Sequence, residues 1–389
     1  MFGQTKNNDE IIILDIGSAS VAGSRVVIST DKKKIDFKDS VRHEANFKNR
    51  ISFKVFFEEI EGALKNTLIG LKKSNNRPVG KIVCFLSSPF YLSKTKTLVY
   101  TQKSPFVVNN KLINKLMAKE AEEFLVSRKK IYPEIADDEN CLIESKIMAV
   151  RLNGYSVASV DSQSAVKLEI DGYLSLSSKA VTHRLTEIIN QTGLGKNVIF
   201  HSFAFAGFST LRDIDDDDDD TFVLLDISGE LSDLIFSLKG VLLENLSFPI
   251  GKNYIIRKTA EVFKTVPAEA RSLIKLYSNG QANAQIEEKI SQALGEIKKD
   301  WNKTFRQGLS ALMEVGILPE LIYLVGEDNL TNIFEGWLKE DSFKDLTFGH
   351  RGIKTILVKP NMFKALDRPE MEKFDPFLAI EGLFLKRVL

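Results

Sequence analysis

A chain of 389 residues with 43% apolar side chains is long enough to bury the cores of several packed subdomains. Its 53 basic and 52 acidic residues leave a net charge of +1, which argues against nucleic acid as a partner. No apolar run approaches the roughly 20 residues that a membrane-spanning helix needs, and residues 1–10 lack the apolar core of a signal peptide, so we expect a cytoplasmic protein.

The first predicted element is a strand within residues 11–18, which read IIILDIGS. Its run of isoleucine and leucine is typical of a strand that is buried on both faces. The strand ends at Asp15, and Gly17 and Ser18 follow in a predicted tight turn. A carboxylate at such a junction can hold Mg²⁺, and the N–H groups of the turn can bind phosphate. An ordinary strand-to-turn junction is the alternative interpretation.

The segment 81–174 predicts a small self-contained α/β unit. It follows a helix at residues 53–72, whose apolar side chains recur at helical spacing. Inside the unit we predict two strands, an amphipathic helix and two further strands, at residues 81–87, 94–102, 109–126, 140–152 and 166–176. After it we predict a helix, a strand and a short helix, at residues 178–191, 197–203 and 204–211.

Six consecutive aspartates occupy residues 215–220. Such a run repels itself, cannot be buried as a whole, and lacks the alternating ligands and the turn glycine of a Ca²⁺ loop. We therefore expect a solvated loop that connects two lobes.

The pattern of strand, aspartate and turn recurs about two hundred residues after its first occurrence. Residues 221–233 read TFVLLDISGELSD, with Asp226 after an apolar run, Gly229 in the turn and Asp233 beyond it. A third apolar strand ends at Gly326. Two such units indicate two similar lobes, each of which presents one phosphate-binding loop to a shared cleft.

The order of these motifs resembles the actin-like ATPase superfamily, and most closely its bacterial branch with the cell-division protein FtsA and the type IV pilus protein PilM. Residues 11–18 and 226–233 match the two phosphate motifs, and residues 324–326 match the adenosine motif. The predicted insert stands where this branch carries a small subdomain. Looser matches follow at residues 248–253, 265–270 and 375–383.

The resemblance implies a fold class and a division of the chain. The expected class is α/β, a two-lobed actin-like (ribonuclease H-like) ATPase fold with a small inserted SHS2-type subdomain. The expected parts are a first lobe, an insert, a second lobe with a helical subdomain, and a closing helix that returns to the first lobe. In order, these are residues 9–80 with 175–220, residues 81–174, residues 221–374 with the helical part at about 254–315, and residues 375–389.

The resemblance also implies ATP and Mg²⁺ as cofactors, bound between the lobes. Asp15 and Asp226 would orient the metal ion through its waters, because Mg²⁺ dehydrates reluctantly. The residues expected around the nucleotide are Asp15, Gly17, Ser18, Asp226, Gly229, Asp233, Lys275 and Gly326.

The second phosphate motif departs from the pattern of the superfamily. Ser228 and Glu230 stand where glycines are usual, and Leu231 replaces a threonine. Side chains at glycine positions limit the approach of the backbone to phosphate, and a carboxylate would repel a γ-phosphate. We therefore expect a degenerate nucleotide cleft, with weak or lost ATPase activity.

The function implied by the resemblance is that of a cytoplasmic assembly or scaffold protein that links a membrane-associated machine, a type IV pilus or a divisome, to the cytoplasm. Its expected partner is the cytoplasmic segment of an inner-membrane protein or a division protein, which would hold it at the periphery of the inner membrane. Self-assembly into filaments or dimers is also expected. The alternatives are a nucleotide-free binding adaptor and, more remotely, a small-molecule kinase of the same superfamily.

Overall fold

The computed structural model describes residues 10–29, 34–45, 53–128, 139–160, 163–212, 214, 220–326, 329–340, 343–347, 350–366, 371 and 373–388. The strands within these ranges are β1 Glu10–Ile16, β2 Ser20–Ile28, β3 Ile35–Glu44, β4 Lys81–Leu86, β5 Leu92–Val108, β6 Asn140–Leu152, β7 Tyr155–Ser156, β8 Gln163–Ser178, β9 Val198–Ser202, β10 Phe222–Ile227, β11 Ser232–Leu238, β12 Val241–Phe248, β13 Leu321–Val325 and β14 Lys354–Leu357. The helices there are α1 Phe53–Ser74, α2 Asn110–Ser127, α3 Lys179–Thr192, α4 Phe203–Leu211, α5 Lys252–Phe263, α6 Pro267–Ser278, α7 Ala284–Leu312, α8 Asn329–Glu340 and α9 Pro376–Val388. Of the acidic run, only Asp220 lies in the described part.

Two sheets share one pattern around the two motif strands. The first has the strand order β3-β2-β1-β4-β9, and the second has the order β12-β11-β10-β13-β14. β1 pairs antiparallel with β2 and parallel with β4, and β10 pairs in the same way with β11 and β13. Both motif strands are therefore central and buried, as their unbroken apolar runs predict.

Strand β4 belongs to the first sheet and not to the insert. It lies parallel to β1, with Asp15 opposite Phe85 in the register, whereas we predicted it as the first strand of the unit 81–174. Residues 82–86 are all buried, as expected for a strand with neighbours on both edges and cover on both faces. Their apolar run predicts such a strand, but it does not indicate which sheet the strand joins.

The insert is a separate sheet with the strand order β5-β8-β6-β7, covered on one face by α2. Helix α2 buries Ile113, Met117 and Phe124 against this sheet. At Gly172 of β8 an added Cβ would lie 2.7 Å from the sulfur of Met117, so the glycine permits the close approach of the helix. β8 continues to Ser178, beyond the predicted end of the insert at residue 174.

A buried carboxylate joins the insert to the first sheet. Glu144 of β6 accepts a hydrogen bond from the backbone N–H of Ser202 at 2.9 Å and one from the Oγ of Ser175 at 3.1 Å. The Oγ of Ser202 also donates to it, and its Oε1 lies 2.7 Å from Nδ1 of His201. β6 and the end of β9 are thus connected through one side chain that is 3% exposed.

Helices α5 to α7 pack on the second sheet, and α9 packs back on the first sheet. We call the first sheet with its helices the first lobe and the second sheet with its helices the second lobe. Trp301 of α7 is fully buried and stacks on Phe305, with ring centroids 4.6 Å apart. Helix α9 packs on α4 and on the first sheet, where Phe384 meets Phe85 edge to face. None of the described helices is both long enough and apolar enough to cross a membrane.

Candidate functional site

The loops that follow β1 and β10 lie against each other. The hydroxyl oxygens of Ser18 and Ser228 are 3.1 Å apart, and the N–H of Glu230 donates to Ser18 Oγ at 2.9 Å. An added Cβ at Gly229 would lie 2.8 Å from the backbone nitrogen of Ala19, so only glycine permits this approach. The structure therefore brings the two predicted phosphate loops together in direct contact.

Backbone donors of both loops are already used inside the protein. The N–H of Gly17 donates to the carbonyl of Ser20, and the N–H of Ser228 donates to the carbonyl of Leu231, each at 3.1 Å. A phosphate bound here would have to take such donors from their present acceptors.

Asp15, the predicted metal-orienting residue, forms an ion pair with an arginine. Arg42 of β3 donates from Nη2 to Asp15 Oδ2 at 2.7 Å. Its Nε donates to Asp375 Oδ2 and its Nη1 donates to Ser20 Oγ, both also at 2.7 Å. One guanidinium thus binds the end of β1, the start of β2 and the residue before α9.

Glu230 is also neutralised within the chain, and this corrects our expectation of a carboxylate that repels phosphate. Both guanidinium Nη atoms of Arg257 donate to it, at 2.9 and 2.7 Å, and Asn253 Nδ2 donates at 2.7 Å. Such a bidentate pair is among the stronger charge-assisted contacts in proteins. The side chain is therefore held on α5.

Asp226 and Asp233 lie opposite each other in the β10–β11 register, and both are buried. Burial raises the pKa of Asp233 to about 6, although hydrogen bonds from Ser247 and Ser88 act in the opposite direction. Ser88 follows β4 in the first lobe, and Ser247 lies on β12 of the second. Asp233 therefore belongs to the contact between the lobes.

Glu381 of α9 is a site residue that the sequence analysis did not identify. It is completely buried, and neither of its carboxylate oxygens has a hydrogen-bond partner among the described residues. Burial, followed by the charges of Asp15 and Asp375, raises its pKa well above the ordinary value, and Arg42 acts against this. Its one signal was a charge inside the apolar run FLAIEGLFL.

Lys275 and Gly326 are placed differently from the residues above. Lys275 is exposed near the end of α6, and its side chain makes none of the hydrogen bonds or ion pairs of the described residues. Gly326 directly follows β13, and an added Cβ there would lie 2.7 Å from Cγ2 of Thr331 in α8. The close packing of this strand on its own helix is therefore sufficient to require the glycine.

The residues present do not fit Mg²⁺–ATP in this arrangement. A guanidinium binds Asp15, backbone donors of both loops are bonded within the chain, and the two loops that would hold the phosphates contact each other.

A second concave surface lies between the insert and the first lobe. This groove has a volume of about 430 Å³ and is bordered by the start of β6, by α3 and by β9. Its apolar lining comes from Leu142, Ile143, Ile199 and Phe200, and its polar side comes from Lys179, Thr182, His183 and Thr186.

Comparisons with known proteins identify the fold. No protein-family model matches the chain, and no curated protein matches its sequence. The chain is similar to a solved structure described as a PilM-PilN type IV pilus biogenesis complex, with a TM-score of 0.63 and 15% identity over 98% of this chain and 99% of that one. For the ethanolamine utilization protein EutJ from Carboxydothermus hydrogenoformans the TM-score is 0.47, with 12% identity over 96% of this chain and 89% of that one. The chain has the actin-like ATPase fold, and the predicted α/β fold class is confirmed.

Proposed function

We propose that this PilM-like actin-fold protein is a nucleotide-independent adaptor that binds an extended cytoplasmic segment of an inner-membrane protein. The groove between the insert and the first lobe is the observation that carries the proposal. The protein would then associate with the membrane through its partner, and it would link the membrane machine to the cytoplasm.

The groove offers the features that an extended peptide needs. β6 pairs with β8 along one edge, and on its other edge it pairs with β7 only at Arg151 and Leu152, within the described residues. β9 is the outer strand of the first sheet and pairs with β4 alone in the described part. Exposed strand edges supply backbone donors and acceptors to an added strand, and alternate side chains of that strand enter side pockets.

The side chains of the groove indicate the chemistry of the segment. Leu142 is 40% exposed, and Ile143 and Phe200 are half-buried, so apolar surface faces the groove. The opposite side is polar and is formed by α3. We therefore expect a segment in which apolar residues alternate with polar ones, so that one face covers Leu142 and the other stays in water.

Two further observations support an adaptor. The solved structure with the TM-score of 0.63 is described as a complex of PilM with PilN. The similarity covers 98% of this chain and 99% of the chain that it matches in that structure. The interlobe cleft is closed by contacts within the chain, so an adaptor does not need a nucleotide to hold its two lobes together.

Leu142→Asp is expected to weaken binding of the partner segment by at least tenfold, or about 1.4 kcal/mol, because it places a charge on the apolar side of the groove. The probe is a fluorescently labelled synthetic peptide in which apolar residues alternate with polar ones, and its binding is measured by fluorescence anisotropy. Val99→Asp on β5 is the matched control, because Val99 is also apolar and is 57% exposed on a different edge of the insert. Equal affinity of both variants and the original protein would place the partner elsewhere.

A further inference from the structure

We infer that the Arg42 guanidinium is the permanent cation of the interlobe cleft and takes the place of a divalent metal ion at Asp15. The inference concerns the cleft alone and does not depend on the proposed peptide groove. It rests on the disagreement between the residues present and the Mg²⁺–ATP site that the strand–aspartate–turn pattern predicts.

The first argument is coordination. Arg42 makes three hydrogen bonds of 2.7 Å, to Asp15, Asp375 and Ser20, with a different nitrogen for each. Its guanidinium carbon also lies 5.5 Å from the ring centroid of Phe377. A planar guanidinium has five N–H donors and can bind several acceptors at fixed angles. It can therefore connect the same oxygen atoms that a metal ion would connect by coordination.

The second argument is charge. Asp15 is 2% exposed, and a buried carboxylate needs a cation close to it. Arg42 supplies this charge and at the same time excludes a metal ion, because Mg²⁺ beside Asp15 would face a guanidinium bound to the same carboxylate. An aspartate that would hold a metal ion in an open cleft is therefore neutralised by the chain itself.

The third argument is that the loop after β10 also carries a carboxylate that an arginine of the chain neutralises. Glu230 is neutralised by Arg257, and its own N–H donates to Ser18 across the cleft. An ion pair between Arg271 of α6 and Glu44 of β3 adds a further connection between the lobes. Each arginine therefore neutralises a carboxylate beside its own loop without a ligand. The contact between the two loops is made by Ser18 with Ser228 and with the N–H of Glu230.

The experiment measures the melting temperature with and without MgCl₂ in the original protein, in Arg42→Met and in the double variant Arg42→Met/Asp15→Asn. Methionine keeps an unbranched apolar stem and removes the guanidinium, so that Asp15 and Asp375 lose their cation. We expect 10 mM MgCl₂ to raise the melting temperature of Arg42→Met by about 2 °C or more, and to leave the other two proteins unchanged. Arg151→Met is the matched control, since it breaks an Arg–Asp pair with Asp171 in the insert, and it should not respond to Mg²⁺.

The inference would be overturned if Arg42→Met did not respond to Mg²⁺, or if Arg151→Met responded equally. Should Arg42→Met fail to fold, calorimetric titration of the original protein with Mg²⁺–ATP decides the question. We expect no saturable heat up to a ligand concentration on the order of 1 mM. Saturable binding below that concentration would show that the metal ion displaces Arg42 from Asp15, and it would overturn the inference.

Discussion

Replacing Glu144 by alanine is expected to lower the free energy of unfolding by about 4 kcal/mol, because it leaves several buried hydrogen-bonding groups without their acceptor. Those groups are the N–H and Oγ of Ser202, the Oγ of Ser175 and the ring nitrogen of His201. These groups belong to two sheets, so the substitution would weaken the contact between β6 of the insert and β9 of the first lobe, which we call the joint. The groove proposed for the partner borders this joint, and peptide binding should weaken together with stability.

Urea unfolding followed by tryptophan fluorescence and circular dichroism measures this change. Glu123→Ala is the control, because Glu123 lies on α2 of the same insert and both side chains of its ion pair with Lys119 are exposed. A surface pair of this kind contributes less than about 1 kcal/mol, so the control should remain close to the original protein. A loss below about 1 kcal/mol for Glu144→Ala would mean that the joint is held mainly by apolar packing.

Replacing Glu381 by glutamine is expected to raise the free energy of unfolding at pH 7 and to have much less effect near pH 4.5. In the folded protein the pKa of Glu381 is raised well above its ordinary value of 4.5, because the carboxyl is buried near Asp15 and Asp375. Above pH 4.5 the unfolded chain gains stability by ionising this group, while the folded protein does not. The contribution of Glu381 to the free energy of unfolding is thus fully present below pH 4.5, and it is lost as the pH rises toward the pKa of Glu381 in the folded protein. Glutamine cannot ionise, so its variant avoids that loss.

The measurement is the free energy of unfolding of both proteins at several pH values between 4.5 and 7.5. The difference between the two free energies should be near zero at the acid end and should grow as the pH rises, because only the unfolded chain of the original protein releases the proton in this range. Glu261→Gln is the control, because the Glu261 side chain is 66% exposed on α5 and its substitution should have little effect at any pH. A constant difference between the Glu381 variant and the original protein would show that Glu381 does not retain a proton in the folded state.

The sequence determined the local elements and the repeated pattern. The apolar runs of β1, β10 and β13 predict buried strands because each run is contiguous, and α2 is predicted because its apolar residues recur at helical spacing. The recurrence of an aspartate and a glycine after two such strands was sufficient to predict two similar units that meet. Those features are local, and the actin-like fold was expected because their order along the chain resembles that superfamily.

The tertiary structure alone decided which side chains meet in the cleft and which sheet β4 joins. Arg42 lies in the polar stretch SVRHEA, which predicts no special partner, and yet it binds Asp375, a residue 333 positions later in the chain. Glu230 was visible as an unusual residue, but its neutralisation depends on Arg257, which the turn of α5 brings beside it. Such contacts join groups that are distant in sequence, and a single sequence carries periodicity and composition but not these distances. The pattern therefore predicted a nucleotide cleft, whereas the folded chain holds its own cations there.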